Sequence, residues 1–180
     1  MKSKEILIFL LLLVVVGLAG FYVGTRTSGD GAESDYVSSG VSDEPVEIRR
    51  LKARLAENPR DAEALSRLGD AYFGLRRFGE AAAYYKRAIE VNPDDVDSYN
   101  DLGLANHYLG NSPEALKYVE EGIKRDPSYQ RIWLTKGFVL AYGVGNIEEA
   151  RSAWEKALSL DPDSQVGKAA ADFLKEIEGK

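Results

Sequence analysis

The stretch from Ala62 to Pro93, AEALSRLGDAYFGLRRFGEAAAYYKRAIEVNP, decides the fold of this chain. It contains two segments with apolar residues at helical spacing, separated by the turn signal Arg77-Phe78-Gly79. Small residues at Gly69 and Ala81, with the bulky Tyr85, lie where two antiparallel helices would approach each other most closely. The pattern therefore predicts a helical hairpin, which ends at its proline because proline cannot continue a helix.

This hairpin pattern occurs three times. Four prolines mark the period, at successive intervals of 34, 34 and 35 residues: Pro59, Pro93, Pro127 and Pro162. Three glycines repeat the same step: Gly69, Gly103 and Gly137. A fixed period of this length indicates an array of similar units, each packed on the next. The one longer interval predicts an extra residue in the third turn, Gly143-Val144-Gly145-Asn146.

The first unit resembles the tetratricopeptide repeat family, and the residues that carry the resemblance are Leu65, Leu68, Gly69, Tyr72, Ala81, Tyr85, Ala88 and Pro93. The second unit departs from the family pattern at Asn106, where tyrosine is usual. The third departs at Lys136, where leucine is usual. The resemblance implies an all-α fold, a right-handed superhelix of three helix hairpins at 62–95, 96–129 and 130–164.

The hairpins are flanked by two further segments with helical spacing, which predict an N-terminal capping helix at 45–57 and a C-terminal one at 165–178. Terminal units of a repeat array need a polar outer face for solubility, and both segments suit that role. The repeat domain is therefore predicted to span 45–180.

The N-terminus carries an uncharged and largely apolar run from Ile6 to Val23, preceded by Lys2 and Lys4. As a helix this run would extend about 27 Å, close to the ~30 Å hydrocarbon core of a bilayer. The sequence predicts a signal anchor, one transmembrane helix within residues 1–26. A signal peptide cut after Ala19 is the alternative, because small residues precede that bond.

The charges that flank this run predict its orientation. The two N-terminal lysines favour a cytoplasmic N-terminus, although Arg26 on the other side opposes them. Both alternatives export the rest of the chain. We expect a single-pass protein of the cytoplasmic (inner) membrane, with its C-terminal domain on the periplasmic or extracytoplasmic side. Residues 27–44 are rich in Ser, Gly and Asp and contain no Lys or Arg, which predicts an acidic flexible linker.

The composition restricts the possible functions. The 180 residues include 23 Lys and Arg against 29 Asp and Glu, a net charge of −6, which disfavours nucleic acid as a partner. The chain contains no cysteine and one histidine, His107, so it has no thiolate or imidazole cluster to hold a metal or cofactor. No phosphate-binding glycine loop and no acid–base constellation occur. The sequence predicts a protein that is not an enzyme and needs no cofactor.

In the tetratricopeptide repeat family, the first helix of each hairpin lines a concave face. Carried onto this sequence, the positions that point into it give a charged surface in unit one and an aromatic one in unit three. The residues predicted to contact a partner are Arg67, Asp70, Phe73, Asn100, Leu104, His107, Tyr108, Arg131, Leu134, Phe138 and Tyr142. Further positions of the same face are Glu63, Ser66, Asp97, Asp101, Thr135 and Ala141.

The apolar members of this face would seat the apolar side of a partner helix. The competing interpretation is that Phe138 and Tyr142 pack on the C-terminal helix, which would then lie over them. Some family members clamp a C-terminal carboxylate with a Lys/Asn/Arg arrangement, and that arrangement is not present here. The matching positions hold Ser66, Asn100, Leu134, Asp70, Leu104 and Phe138.

The order of an anchor, a linker, a lead-in helix and three repeats also resembles the membrane-anchored, periplasmic repeat proteins of c-type cytochrome biogenesis. Members of that group hold the C-terminal helix of an apocytochrome before haem attachment. We therefore expect a membrane-anchored adaptor that binds a peptide or amphipathic helix of a partner protein. The alternative is a structural subunit of a secretion or division complex in the cell envelope.

Overall fold

A computed structural model describes residues 44–179, and this part of the chain is helical throughout, with no strand. Its α-helices are α1 (Val46–Glu57), α2 (Ala62–Gly74), α3 (Phe78–Val91), α4 (Val96–Tyr108), α5 (Ser112–Arg125), α6 (Gln130–Phe138), α7 (Ile147–Leu160) and α8 (Gln165–Glu178). A π-helical segment, Val139–Val144, continues α6. The predicted all-α repeat fold is confirmed.

The predicted anchor at 1–26 and all of the predicted linker except Glu44 lie outside the described residues. Between residues 44 and 179, no helix combines the length and the apolar character needed to cross a bilayer. The membrane prediction therefore continues to rest on the sequence alone.

The helices pair as three hairpins that stack in chain order. Within the hairpins, α2 packs on α3, α4 on α5, and α6 on α7. Successive hairpins join because α3 packs on α4, and α5 packs on α6 and the π-helical segment. The first helices α2, α4 and α6 are neighbours in that order, while α1 covers α2 and α8 covers α7.

Each hairpin closes around a glycine, as the sequence predicted. A Cβ atom at Gly69 would overlap the ring of Tyr85, and the glycines of the other two units face Val119 and Trp154 in the same way. These three bulky side chains are fully buried. The glycines are therefore required for the close approach of the two helices, and the bulky residues fill the space beside them.

Aspartates begin the first helices of the first two hairpins. The side chain of Asp61 accepts a hydrogen bond from the backbone nitrogen of Ala64 at 2.9 Å, and that of Asp95 accepts one from Ser98 at 3.1 Å. Both aspartates satisfy backbone donors that a helix leaves free at its start. Asp95 is therefore the N-terminal capping residue of α4.

The first turn lies earlier than the sequence predicted. The sequence predicts a turn at Arg77-Phe78-Gly79, but Phe78 and Gly79 belong to the first turn of α3. The chain reverses at Arg76, whose φ of 59° is left-handed. Phe78 is the first residue of α3, and its ring stacks on Tyr108 of the next hairpin, with centroids 4.8 Å apart.

The extra residue of the third unit is also accommodated differently from the prediction. Gly143 and Val144 are not in an open turn but end the π-helical segment, and only Gly145 and Asn146 separate it from α7. A π-helix holds one more residue per hydrogen-bonded turn than an α-helix, so it absorbs an insertion without changing the ends of the hairpin. Gly145 has a φ of 80° and ends this helix, just as Gly110, with a φ of 82°, follows α4.

Candidate partner-binding site

The structure places the eleven predicted contact residues on α2, α4, α6 and the π-helical segment, which are neighbours in the array. Five of them are buried: Phe73, Asn100, Leu104, Leu134 and Phe138. Three are half-buried, namely His107, Tyr108 and Arg131. The other three are exposed, namely Arg67, Asp70 and Tyr142. The six half-buried and exposed residues can therefore contact a partner directly, while the five buried residues form the layer beneath them.

The other positions of the predicted face divide in the same way. Asp101 and Thr135 are buried, Ser66 and Ala141 are half-buried, and Glu63 and Asp97 are exposed. The exposed charges are concentrated on α2 and the start of α4. The exposed aromatic surface is on the end of α4 and the π-helical segment.

Aromatic rings form a continuous line between the hairpins, which we call the aromatic row: Phe78, Tyr108, His107, Phe138 and Tyr142. Tyr108 stacks on Phe78, and His107 lies edge-on to Phe138 with ring centroids 5.1 Å apart. Phe138 is 5.0 Å from Tyr142. Sequence reasoning missed Phe78, because it treated that residue as part of a turn, although an aromatic residue at the start of a second helix was a usable signal.

The C-terminal helix α8 covers one end of this row. Phe173 stacks on Trp154, with centroids 4.8 Å apart, and lies 6.3 Å from Phe138 and 6.2 Å from Tyr142. In the described part of the chain, α8 packs on α7 and α6 and has no comparable packing on α2 or α4. It therefore contacts the third hairpin and leaves the first helices of the other two uncovered.

Tyr142 contacts α8 on one side and is exposed to solvent on the other. The residue is 41% exposed, and its hydroxyl donates a hydrogen bond to Glu176 at 3.2 Å. Partial burial and the charge of Glu176 raise the pKa of Tyr142 to about 12. The hydroxyl is thus protonated at neutral pH, and the ring offers both an apolar surface and a polar edge to a partner.

A buried polar cluster joins α4 to α6. Arg131 donates a hydrogen bond to Asp101, and its other terminal nitrogen lies 3.5 Å from Asp97. Asn100 donates from Nδ2 to Asp101 at 2.8 Å. Burial raises the pKa of Asp101, against the opposing charge of Arg131. The Oδ1 atom of Asn100 and the Nε atom of Arg131 are buried with no hydrogen-bond partner.

Asp70 lies close to this cluster. As a residue it is exposed, but its carboxylate is partly enclosed by protein and accepts a hydrogen bond from the hydroxyl of Tyr85 at 2.8 Å. This enclosure, together with the charge of Asp101, raises the pKa of Asp70 to about 6. The side chain therefore changes charge close to neutral pH.

His107 links the aromatic row to the start of α5. Its Nδ1 atom lies 3.0 Å from the hydroxyl oxygen of Ser112, and burial lowers its pKa. The imidazole is thus neutral at pH 7. No group of His, Cys, Asp or Glu within residues 44–179 is arranged to hold a metal ion.

Family models for the tetratricopeptide repeat match this chain at residues 48–95, 66–130 and 130–164. These matches extend from α1 to the end of the third hairpin. The chain belongs to the tetratricopeptide repeat family. It is therefore a helical repeat module of the kind that mediates protein–protein interaction.

Two curated relatives illustrate where such modules occur. Hsp70-Hsp90 organizing protein 3 of Arabidopsis thaliana is 31% identical over 108 residues, which are 60% of this chain and 19% of that protein. DnaJ homolog subfamily C member 7 of Mus musculus is 29% identical over 130 residues, which are 72% of this chain and 25% of that protein. The chain spans a quarter or less of the length of these relatives, so the similarity concerns their repeats.

Solved structures share the fold. A crystal structure of MamA protein is 30% identical, with a TM-score of 0.58, and the match covers 63% of this chain and 62% of that one. The first repeat domain of Spaghetti (RPAP3), bound to the HSP90 peptide SRMEEVD, has a TM-score of 0.60. It is 21% identical, and the match covers 66% of this chain and 90% of that one. At that identity the similarity extends to the fold alone.

Proposed function

We propose that the protein is a membrane-anchored adaptor without enzymatic activity, whose tetratricopeptide repeats bind a peptide or amphipathic helix of a partner protein outside the cytoplasmic membrane. The aromatic row is the observation that carries this proposal. Tyr108, His107 and Tyr142 reach the surface along it, and Phe138 lies beneath them. Aromatic side chains provide a large contact area at a low cost in conformational entropy, which suits them to binding.

The comparisons support the binding of a peptide in general and leave its class open. The RPAP3 repeat domain holds an acidic peptide of HSP90. The present chain has Ser66, Asp70 and Leu104 at three of the positions where a carboxylate clamp would need Lys, Arg or Asn. A partner with a different terminal chemistry is therefore expected.

The location outside the membrane rests on residues 1–44. It can be tested simply, because the chain contains no cysteine. A Ser38→Cys variant has one thiol, which a membrane-impermeant maleimide should label in intact cells or spheroplasts. Labelling only after the membrane is broken would contradict the proposed orientation, and a lack of membrane association would contradict the anchor.

The finer assignment, to the assembly of c-type cytochromes, rests on the order of the sequence elements. Its distinguishing requirement is that the bound segment is the C-terminal helix of an apocytochrome. A structural role in an envelope complex is the competing assignment. It predicts that the protein remains in a stable complex when the aromatic row is altered.

A photo-crosslinking experiment tests partner binding. A photoreactive phenylalanine analogue replaces Tyr142 in the full-length protein in its own membranes, and the same analogue replaces Tyr118 in a matched control. Tyr118 is a half-buried tyrosine of α5, away from the aromatic row. A discrete crosslinked species from position 142 alone supports the proposal. Equal crosslinking from both positions, or none from position 142, contradicts it.

A further inference from the structure

The first two hairpins carry negative charge that the protein does not neutralise. Arg131 is balanced by Asp101, and both of these side chains are mostly buried. Asp97 lies 3.5 Å from the same guanidinium, but 60% of its side chain is exposed. Asp70 has no ion pair with any lysine or arginine in the described part of the chain. Two carboxylates therefore share one guanidinium, and a third carboxylate, that of Asp70, has no cation paired with it.

A second observation at this place points to a missing donor. Asn100 is completely buried, and its Nδ2 atom is bonded to Asp101, which fixes the amide within the cluster. Its Oδ1 atom has no donor. Buried carbonyl oxygens in proteins are nearly always paired, because an unpaired one loses its bond to water without replacing it. This oxygen belongs to the same polar cluster, because Asn100 is bonded to Asp101, and the charges of Asp101 and Asp97 both act on Asp70.

From this charge imbalance and the unpaired amide oxygen, we infer that the groove selects a partner segment carrying a lysine or arginine side chain, whose cation sits beside Asp70 and Asp97. The inference rests on the proposed function, since it names the chemistry of the segment bound there. Metal ions are a poor fit, because no metal-holding group of side chains occurs among residues 44–179.

The position of the charges also sets the direction of the segment. Asp70 and Asp97 lie on α2 and at the start of α4, whereas the exposed rings of the aromatic row lie at the end of α4 and on the π-helical segment. A segment that uses both is basic at one end and apolar at the other. The preference is opposite in sign to that of an acidic peptide such as SRMEEVD.

A selection from displayed random-sequence peptides tests the inference. The target is the full chain in detergent micelles, as the wild type and as an Asp70→Asn/Asp97→Asn variant. Asparagine keeps an acceptor for the hydroxyl groups of Tyr85 and Tyr129, so the fold should be retained. The matched control is Glu90→Gln/Glu155→Gln, which removes two exposed charges from the second helices α3 and α7.

We expect the wild type and the control to enrich the same peptides, with lysine or arginine at one end. These peptides should bind the Asp70→Asn/Asp97→Asn variant about tenfold more weakly. Three results would overturn the inference and leave peptide binding intact. The selected peptides could lack basic residues, they could bind all three proteins equally, or they could lose affinity equally in both double variants. Recovery of no peptide by the wild type would overturn the proposed function as well.

Discussion

Arg131 of the third repeat donates a hydrogen bond to Asp101 of the second, and this mostly buried pair joins the first helices of two neighbouring repeats. The two residues are thirty positions apart in the sequence. Each side chain is the main opposite charge for the other in a site that is largely closed to water. Removal of one partner therefore leaves a buried charge without compensation.

We predict that Arg131→Met lowers the free energy of unfolding by about 2 kcal/mol, because Asp101 loses its counter-charge. An Arg131→Met/Asp101→Leu double variant should lose less than the sum of the two single variants. Urea denaturation of all four proteins measures this coupling. Strictly additive losses would show that the pair does not stabilise the junction between the repeats.

The π-helical segment makes a close contact that only glycine permits. A Cβ atom at Gly143 would overlap the hydroxyl of Ser112 and lie 2.8 Å from Nδ1 of His107. Gly143→Ala should therefore lower the free energy of unfolding by about 1–3 kcal/mol. Gly79→Ala is the matched control, since nothing lies within 4 Å of its Cβ position in α3. It should raise stability by up to about 1 kcal/mol. Thermal unfolding of both variants measures these changes. An increase in the stability of Gly143→Ala would contradict the close contact.

Asp70 predicts a pH dependence with a definite sign. Its pKa is raised to about 6 in the folded state, so the folded protein holds the proton more tightly than the unfolded chain does. The stability that protonated Asp70 contributes is complete below the unfolded pKa of about 4 and is lost as pH rises through about 6. As pH rises through this range, the unfolding free energy of the wild type should therefore fall relative to that of Asp70→Asn.

Tyr85→Phe extends this test. The hydroxyl of Tyr85 donates to Asp70 and lowers its pKa, against the larger effect of burial. Without that bond, the pKa of Asp70 should rise further and the loss of stability should move to higher pH. Denaturation midpoints measured between pH 4 and pH 8 would reveal this shift. A difference between wild type and Asp70→Asn that is constant with pH would contradict the assignment.

The stack between Trp154 and Phe173 predicts how α8 is held. Phe173 is 7% exposed, so Phe173→Ala should cost about 3 kcal/mol and loosen α8 from the third hairpin. Hydrogen exchange should increase in α8 first. Tyr142→Phe is the comparison, because it removes only the bond to Glu176. Uniform loss of protection along all hairpins, instead of at α8, would show that α8 is not a separately detachable element.

The sequence predicted the hairpins and the glycine contacts because these depend on residues close in the chain. Gly69 and Tyr85, for example, belong to one hairpin. The predicted contact face was less informative. It named Asn100 and Leu134 as contact residues, and both are buried in the packing between repeats.

The amino-acid sequence by itself determined the period, the boundaries of the repeat units and the close approach within each unit. It did so because proline, glycine and helical spacing act locally. Only the tertiary structure decided which inner side chains reach the surface, how the extra residue of the third unit becomes a π-helical segment, and that Arg131 balances Asp101 while Asp70 stays without a counter-ion. Those outcomes depend on how one repeat meets the next, and contacts about thirty residues apart have no signature in the local pattern.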